Sequence, residues 1–260
     1  MNYSTLLTEK KDFIGLIRLN QPERMNALSA DLRADLLACL DDMGRDQSIR
    51  AVILTGSGKA FSAGGDLSEL REKMTVSQSR DYVRGVSRII TTMRSLEKPV
   101  IVGVNGAAVG AGFSIVMAGD LVIASEKAFF SMAFSKVGLV PDLGANFFSP
   151  RLFGTHKAKE MAFFGKSLTA QELSELGLVN YLVEPEALDS KMLEVAKAIA
   201  QGPPLALGLA KKLIDQSWDM DLEDMLEVEA LTQATCLQSE DFQEGAAAFY
   251  EKRPAHFKGK

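Results

Sequence analysis

The residues best suited to chemistry lie in three short segments. Asp142 follows a Val-Pro pair in the run MAFSKVGLVPDLG at 132–144. Two glycine-rich segments precede it, KAFSAGGDL at 59–67 and NGAAVGAGFS at 105–114, and each is predicted to follow a strand and open a helix. Such loops present main-chain N–H groups that favour negative charge. Two such loops and one carboxylate can polarise a carbonyl and move a proton, so the sequence predicts an enzyme.

Each segment also has a purely structural interpretation. The pair Gly64-Gly65 suits a tight turn with Asp66 as a helix N-cap, and the glycines at 110 and 112 suit close packing of a helix on a strand. Asp142 after Pro141 suits a helix N-cap. The residues alone leave both interpretations open at all three places.

Composition narrows the class of protein. The chain has 260 residues, 47% of them hydrophobic and 24% charged, which is ordinary for a globular protein with a large core. A net charge of −5 argues against a nucleic-acid or anionic-membrane surface. Cys39 and Cys236 lie far apart and are expected to be reduced thiols. His156 and His256 are isolated, which disfavours a histidine metal site or a catalytic triad.

Residues 99–119 carry no charge, and that length matches a membrane span. The segment changes character midway, however, from the β-branched run VIVGV to the small-residue run AVGAGFSIVMAG, which predicts a buried strand followed by a tightly packed helix. The N-terminal residues lack the apolar core of a signal peptide. We therefore expect a soluble cytoplasmic protein.

The remaining pattern alternates strands with helices, which predicts an α/β core. Predicted strands cover 13–19, 51–55, 100–104, 121–124 and 178–183, and predicted helices start at a Ser29 N-cap and at about Ser79, with Val83 among the inward residues of the second. Thr169 and Glu172 form a capping box for a short helix closed by Gly177. Helices at roughly 186–200, 205–217 and 221–237 are predicted to cover the core or build an oligomer interface.

Five motifs in one order resemble the crotonase (enoyl-CoA hydratase/isomerase) superfamily over nearly the whole chain. They are LNQPERMNAL at 19–28, AFSAGGDL at 60–67, KPVIVGVNGAAVGAG at 98–112, VGLVPDLG at 137–144 and FYEKRPAHF at 249–257. The resemblance implies a spiral of ββα units over residues 1–200 and a helical trimerisation region over 201–260. It also implies acyl-coenzyme A thioester substrates, with the N–H groups of Gly65 and Ala111 holding the thioester oxygen as it becomes an enolate.

Departures from the family pattern narrow the reaction. Ser114 and Phe134 stand where the family's hydratases use two glutamates to place and activate water, and neither side chain is a useful base. By resemblance Asp142 then corresponds to the catalytic acid of the isomerases. The run at 132–144 is especially similar to the phenylacetate-pathway isomerases that open a ring epoxide into an oxepin acyl-CoA, although Ala145 and Asn146 replace the Gly and Thr of many relatives.

The resemblance also implies contacts with substrate. Residues expected to contact coenzyme A are Arg24, Ala27, Ala63, Asp66, Leu67, Phe249 and Lys252, the last two from the same or a neighbouring subunit. Candidates for the wall of the acyl pocket, each equally suited to the core, are Phe113, Phe134, Leu143 and Phe147. Without the resemblance Arg24 and Lys252 would be ordinary surface charges.

The sequence thus favours an acyl-CoA isomerase that forms a trimer or a dimer of trimers and needs no metal or redox cofactor, coenzyme A being part of the substrate. Enoyl-CoA hydratase activity is the nearest alternative. A coenzyme A-binding protein whose chemistry has lapsed, and an RNA-binding protein, are the rivals from other classes; the acidic charge balance speaks against the latter.

Overall fold

The computed structural model describes residues 3–69 and 74–260. The strands in these ranges are β1 (Leu6–Lys11), β2 (Ile14–Leu19), β3 (Ala51–Gly56), β4 (Ala60–Ser62), β5 (Val100–Val104), β6 (Ala107–Val109), β7 (Leu121–Ser125), β8 (Phe129–Ser131), β9 (Ser167–Thr169) and β10 (Tyr181–Val183). The α-helices are α1 (Ala30–Arg45), α2 (Val76–Ser95), α3 (Ala111–Met117), α4 (Ala145–Phe153), α5 (Thr155–Phe164), α6 (Ala170–Glu175), α7 (Leu188–Ala200), α8 (Pro204–Gln216), α9 (Leu222–Leu237) and α10 (Glu240–Glu251).

The strands form two sheets, and the chain passes from one to the other in a repeating unit. The larger sheet has the order β1-β2-β3-β5-β7-β10 and is parallel except for the β1–β2 pair. The smaller sheet has the order β4-β6-β8-β9. Strand pairs β3–β4, β5–β6 and β7–β8 each contribute one strand to each sheet, and helices α2 and α3 follow the first two. This is the predicted spiral of ββα units.

Both faces of the larger sheet are covered, which explains why its central strands are mostly apolar. On β3, Val52 and Leu54 face the main core beneath α1, α2 and the smaller sheet, whereas Ile53 faces α7. The uncharged segment at 99–119 contains the predicted strand, β5, and the predicted helix, α3, with the short strand β6 between them. None of the helices in the described ranges is long and apolar enough to cross a membrane.

Local sequence signals fix the helix starts. Ser29 caps α1, its hydroxyl accepting from the N–H of Leu32, as predicted. Helix α2 begins at Val76, three residues earlier than expected, because Thr75 and Gln78 form a capping box. The same helix corrects a second expectation, since Val83 is 38% exposed rather than buried in the core.

The C-terminal helices pack on the core through α8. The ammonium group of Lys211 lies 2.7 Å from a carboxylate oxygen of Asp120, and the Arg94 guanidinium pairs with Asp215 at 2.7 Å. Helices α9 and α10 bury few of their side chains in the single chain. The proposed division at residue 200 falls between α7 and α8.

Candidate active site

The two glycine-rich loops lie directly against each other. A Cβ atom on Gly64, whose φ is +88°, would lie 2.5 Å from the main-chain oxygen of Val109, and one on Gly112 would lie 2.5 Å from that of Ser62. Side chains at either position would push the loops apart, so glycine is required for this contact. This contact brings together two segments that lie about 45 residues apart along the chain.

The second loop opens a helix, as predicted, and the first does not in the described part of the chain. Helix α3 begins at Ala111 after Gly110, which has φ +54°. After Gly65 the chain instead makes a turn in which the carboxylate of Asp66 accepts from the N–H and the hydroxyl of Ser68, at 3.0 and 2.6 Å. Asp66 therefore stabilises a turn and does not cap a helix there.

The main-chain N–H groups of Gly65 and Ala111 are both available. Neither donates a hydrogen bond to any residue of the described ranges. Ala111 is the first residue of α3, where the helix itself supplies no acceptor, and no atom lies within 4 Å of the position a Cβ on Gly65 would take. Both residues line one cavity, so two free donors border the same space.

This cavity has a volume of about 170 Å³ and is mostly apolar. Asp142 and Tyr82 are the two lining residues with polar side chains in the part of the chain that the structure describes. Its glycine positions are Gly65 and Gly110, and the other lining residues are Ala111, Leu28, Ala63, Leu67, Val83, Val86, Val109, Ala133, Phe134, Val137, Leu139 and Leu143. An apolar cavity with a few converging polar groups is typical of a small-molecule site.

Asp142 is half-buried beside these apolar side chains. Its Oδ1 atom is buried and has no hydrogen-bond partner among the described residues. Burial disfavours the charged form and raises the pKa of the Asp142 carboxyl to about 6. A carboxyl with that pKa can both accept and return a proton near neutral pH.

The helix-cap interpretation of Asp142 is wrong. The N-cap of the following helix, α4, is Gly144, and among the described residues no side-chain hydrogen bond caps this helix. Asp142 takes part in the turn through its main-chain oxygen, which accepts from the N–H of Ala145 at 3.0 Å and from the hydroxyl of Ser114 at 3.0 Å. Its carboxyl group is therefore not used in capping and remains available to a molecule in the cavity.

The two residues in the hydratase glutamate positions have different surroundings. Ser114 is fully buried, and its hydroxyl lies against main-chain oxygens of Asp142 and Gly110. The Phe134 ring lines the cavity beside Gly110. Neither residue offers a carboxylate to a water molecule.

Residues expected to meet coenzyme A fall into two groups. Ala63 and Leu67 line the cavity, and Ala27 lies next to Leu28, which pairs with the first glycine loop. The half-exposed Arg24 forms an ion pair with the buried carboxylate of Asp66. Hydrogen bonds from Ser68, together with that guanidinium, hold the pKa of Asp66 below its usual value despite burial. Arg24 and Asp66 thus hold each other in place, and the contact of Arg24 with coenzyme A stays a prediction.

Four other candidates are not among the residues that line the cavity. Phe113 is fully buried in the core, with its ring centroid 5.3 Å from that of Phe130. Phe147 packs on Trp218 at 5.3 Å. Phe249 and Lys252 lie at the exposed end of α10, and their contact with coenzyme A stays a prediction.

Sequence reasoning missed Tyr82 as a site residue. Tyr82 lies on α2 next to Val83, and both line the cavity. An aromatic residue on the apolar face of an amphipathic helix is normally part of a core, so the pattern held no signal that this face meets a cavity. Within residues 3–69 and 74–260, no group of three or more His, Cys, Asp or Glu residues could hold a metal ion.

Comparison with known proteins agrees with this architecture. The chain resembles a solved enoyl-CoA hydratase/isomerase from Cupriavidus metallidurans CH34 with a TM-score of 0.94 and 36% identity, covering 100% of this chain and 98% of that one. The fold is the crotonase fold. Residues 9–260 match the enoyl-CoA hydratase/isomerase family, and the chain belongs to it.

Two curated relatives are similar over nearly their whole length and differ in their activities. One is the 1,2-epoxyphenylacetyl-CoA isomerase of Escherichia coli (strain K12), 36% identical over 259 residues, with 98% of each chain covered. Another is the short-chain-enoyl-CoA hydratase of Clostridium acetobutylicum, 34% identical over 254 residues, with 97% of each chain covered. Family membership therefore leaves isomerisation and hydration both to be considered.

Proposed function

We propose that this protein is an acyl-CoA isomerase in which Asp142 transfers the proton and the N–H groups of Gly65 and Ala111 hold the thioester oxygen. One observation carries the proposal. Asp142 is the one carboxylic acid that lines the cavity in the described part of the chain, and the two free N–H groups border the same cavity.

The proposed reaction begins when the Asp142 carboxylate removes a proton from a carbon made acidic by the thioester. Negative charge then develops on the thioester oxygen, where each N–H donor is worth about 3 kcal/mol to the transition state. The protonated Asp142 returns the same proton to a different carbon, which shifts the double bond. Atoms and charge balance without a co-reactant, so the reaction needs no cofactor beyond the coenzyme A of the substrate.

Hydration is the second candidate, because a similar relative is a short-chain-enoyl-CoA hydratase. Adding water requires groups that hold and deprotonate a water molecule. The Ser114 hydroxyl lies against main-chain oxygens, and Phe134 presents an apolar ring. These contacts favour isomerisation over hydration.

The proposal also concerns which acyl group the substrate carries. Similarity to the 1,2-epoxyphenylacetyl-CoA isomerase makes a ring-epoxide acyl-CoA the first substrate to test, and phenylacetate breakdown the corresponding metabolic setting. Coenzyme A itself is proposed to meet Arg24, Ala63 and Leu67, with Phe249 and Lys252 supplied by the same or a neighbouring subunit.

The test is to incubate the purified protein with 3-enoyl-, 2-enoyl- and ring-epoxide acyl-CoAs and to separate the products by mass and retention time. Isomerisation changes retention without changing mass, whereas hydration adds the mass of one water. We expect a product of unchanged mass from the 3-enoyl or the ring-epoxide substrate. A product heavier by one water, formed from the 2-enoyl substrate alone, would establish a hydratase. Tight binding without any conversion would indicate a lapsed enzyme.

A further inference from the structure

A second polar side chain faces the cavity, and the proposed proton transfer does not use it. Tyr82, on α2, lines the cavity together with Asp142, while the remaining lining side chains of the described residues are apolar or absent. A polar group in an apolar cavity loses its hydration and costs free energy unless a partner satisfies it. The question is therefore what the Tyr82 hydroxyl bonds to when the cavity is filled.

Protein contacts satisfy only one side of this hydroxyl. The Arg33 guanidinium donates to the Tyr82 oxygen at 3.1 Å and lies over the ring, 4.8 Å from its centroid. Arg33 is itself held by the Glu69 carboxylate at 2.9 Å and the main-chain oxygen of Leu28 at 2.6 Å. The other Glu69 oxygen accepts from the N–H of Ala30 at 2.7 Å, at the start of α1. The hydroxyl is thus fixed by a chain of bonds that ends on a helix.

The hydroxyl proton remains available. In the described ranges this proton has no acceptor, because in the hydrogen bond with Arg33 the Tyr82 oxygen is itself the acceptor. A cationic donor on the oxygen withdraws electron density and strengthens the O–H as a donor. Burial is the largest influence on the pKa of Tyr82 and raises it, with the Arg33 charge opposing, so the group stays protonated at neutral pH. Tyr82 can therefore donate a hydrogen bond and cannot serve as a base.

We propose that Tyr82 is a specificity-determining residue that donates a hydrogen bond to an oxygen atom within the acyl group, so that the site prefers oxygenated acyl-CoAs over all-carbon ones. The ligand class is an acyl chain that carries an ether, epoxide, hydroxyl or carbonyl oxygen beyond the thioester. This rests on the proposed function only in taking the cavity as the acyl site. A site built to bond a polar atom discriminates against an analogue that lacks it, because its own group is then left unpaired.

The test measures binding of ligands that cannot react. Saturated acyl-CoAs are compared by calorimetry with analogues in which an ether oxygen replaces one methylene, scanned along the chain. We expect the wild type to bind at least one oxygen position about tenfold more tightly than the all-carbon chain, the scale of one well-formed hydrogen bond. Tyr82→Phe keeps the ring and should abolish that preference without weakening binding of the all-carbon chain, because no hydroxyl is then left unpaired. Tyr181→Phe, which removes a hydroxyl on β10 outside the cavity, should retain it.

Two results would overturn the inference. One is the absence of a favoured oxygen position in the wild type. The other is a preference that survives in Tyr82→Phe. In either case the only role left to Tyr82 is its structural contact with Arg33. Conversion of 3-enoyl-CoA, measured separately, keeps the two proposals apart. If the protein isomerises 3-enoyl-CoA but shows no oxygen preference, the proposed function stands and this inference fails. If it shows the preference but converts nothing, this inference stands and the proposed function fails. No binding of any acyl-CoA would reject both.

Discussion

The hydroxyl of Ser114 lies 3.0 Å from the main-chain oxygen of Asp142. Ser114 belongs to α3, the helix that starts at Ala111, so one short helix carries the proposed oxyanion donor and contacts the turn of the proposed acid. Ser114 stands where the family's hydratases have a glutamate. From this contact we expect Ser114 to position Asp142 and not to react.

Replacing Ser114 tests this positioning role. Ser114→Ala removes one neutral hydrogen bond, worth about 1 kcal/mol, from the turn that carries Asp142. We expect kcat to fall about three- to tenfold with KM little changed, because substrate still meets the same cavity. Steady-state kinetics and a melting curve measure both effects. A drop of three orders of magnitude would instead make Ser114 a participant in the chemistry.

The contact between the two glycine loops is the second test. Gly64→Ala would place a Cβ 2.5 Å from the Val109 oxygen at φ +88°. We expect a loss of about 2 kcal/mol or more in stability together with most of the activity, because the loops must separate.

Gly177 supplies a matched control for backbone strain. Its φ is +86°, and no atom lies within 4 Å of a Cβ built there. Gly177→Ala should therefore cost only the strain of a left-handed residue, about 1 kcal/mol, and leave activity intact. Equal behaviour of the two variants in unfolding and in turnover would show that contact between the loops does not matter.

Much of the fold was readable because its long elements carry strong periodic or capping signals. The strands at 51–56 and 100–104 and the caps at Ser29 and Thr169 were predicted correctly. The smaller sheet was not predicted, since its strands have three residues each, too few to establish a period of two. Helix α4, with Pro150 inside it, and helix α10 also lacked a clear signal.

The residues of the candidate site were likewise only partly predictable from the sequence. Asp142, Gly65 and Ala111 line one cavity, and the sequence singled them out because their motifs are local. Tyr82, which lines the cavity, was not singled out, because helical periodicity reports which face of a helix is apolar, not whether that face meets a cavity or the core. Only the packing of α2 over the glycine loops decides that.

The raised pKa of Asp142 predicts a pH profile. The carboxylate must be free to accept a proton, so kcat/KM should rise with pH, by about tenfold per unit, until about 6 and then level off. Initial rates measured with 3-enoyl-CoA from pH ~4.5 to ~8 give this profile. A flat profile would show that no group with this pKa controls the reaction.

The same shift predicts a stability effect of known sign. The folded protein holds the Asp142 proton more tightly than the unfolded chain, whose carboxyl has the ordinary pKa of 3.8. Stability from this group is therefore fully present below that value and is lost as pH rises through about 6. Asp142→Asn should be more stable than wild type by about 1 kcal/mol at neutral pH, after allowance for partial exposure, and not at pH ~4. Denaturant unfolding at both pH values measures the difference, and a variant less stable at neutral pH would contradict it.

Exposed apolar side chains on the C-terminal helices predict that the protein self-associates. Leu222, Leu231 and Phe249 are 72%, 64% and 79% exposed in the single chain, which is unusual for large apolar side chains on neighbouring helices. We expect a trimer or a dimer of trimers by light scattering at micromolar concentration. Leu222→Lys combined with Leu231→Lys should dissociate the assembly. A wild-type particle of 28.2 kDa, the mass of one chain, would contradict the expectation.

The most direct test of the central claim is the turnover of Asp142→Asn on a substrate that the wild type isomerises. Asparagine keeps the size and one oxygen of the side chain and removes proton transfer. The account predicts that kcat falls by ~100-fold or more, the usual scale of general acid–base catalysis, while acyl-CoA affinity by calorimetry stays within about twofold. Wild-type turnover in Asp142→Asn would contradict the account, since the described cavity offers no other carboxylate to move the proton.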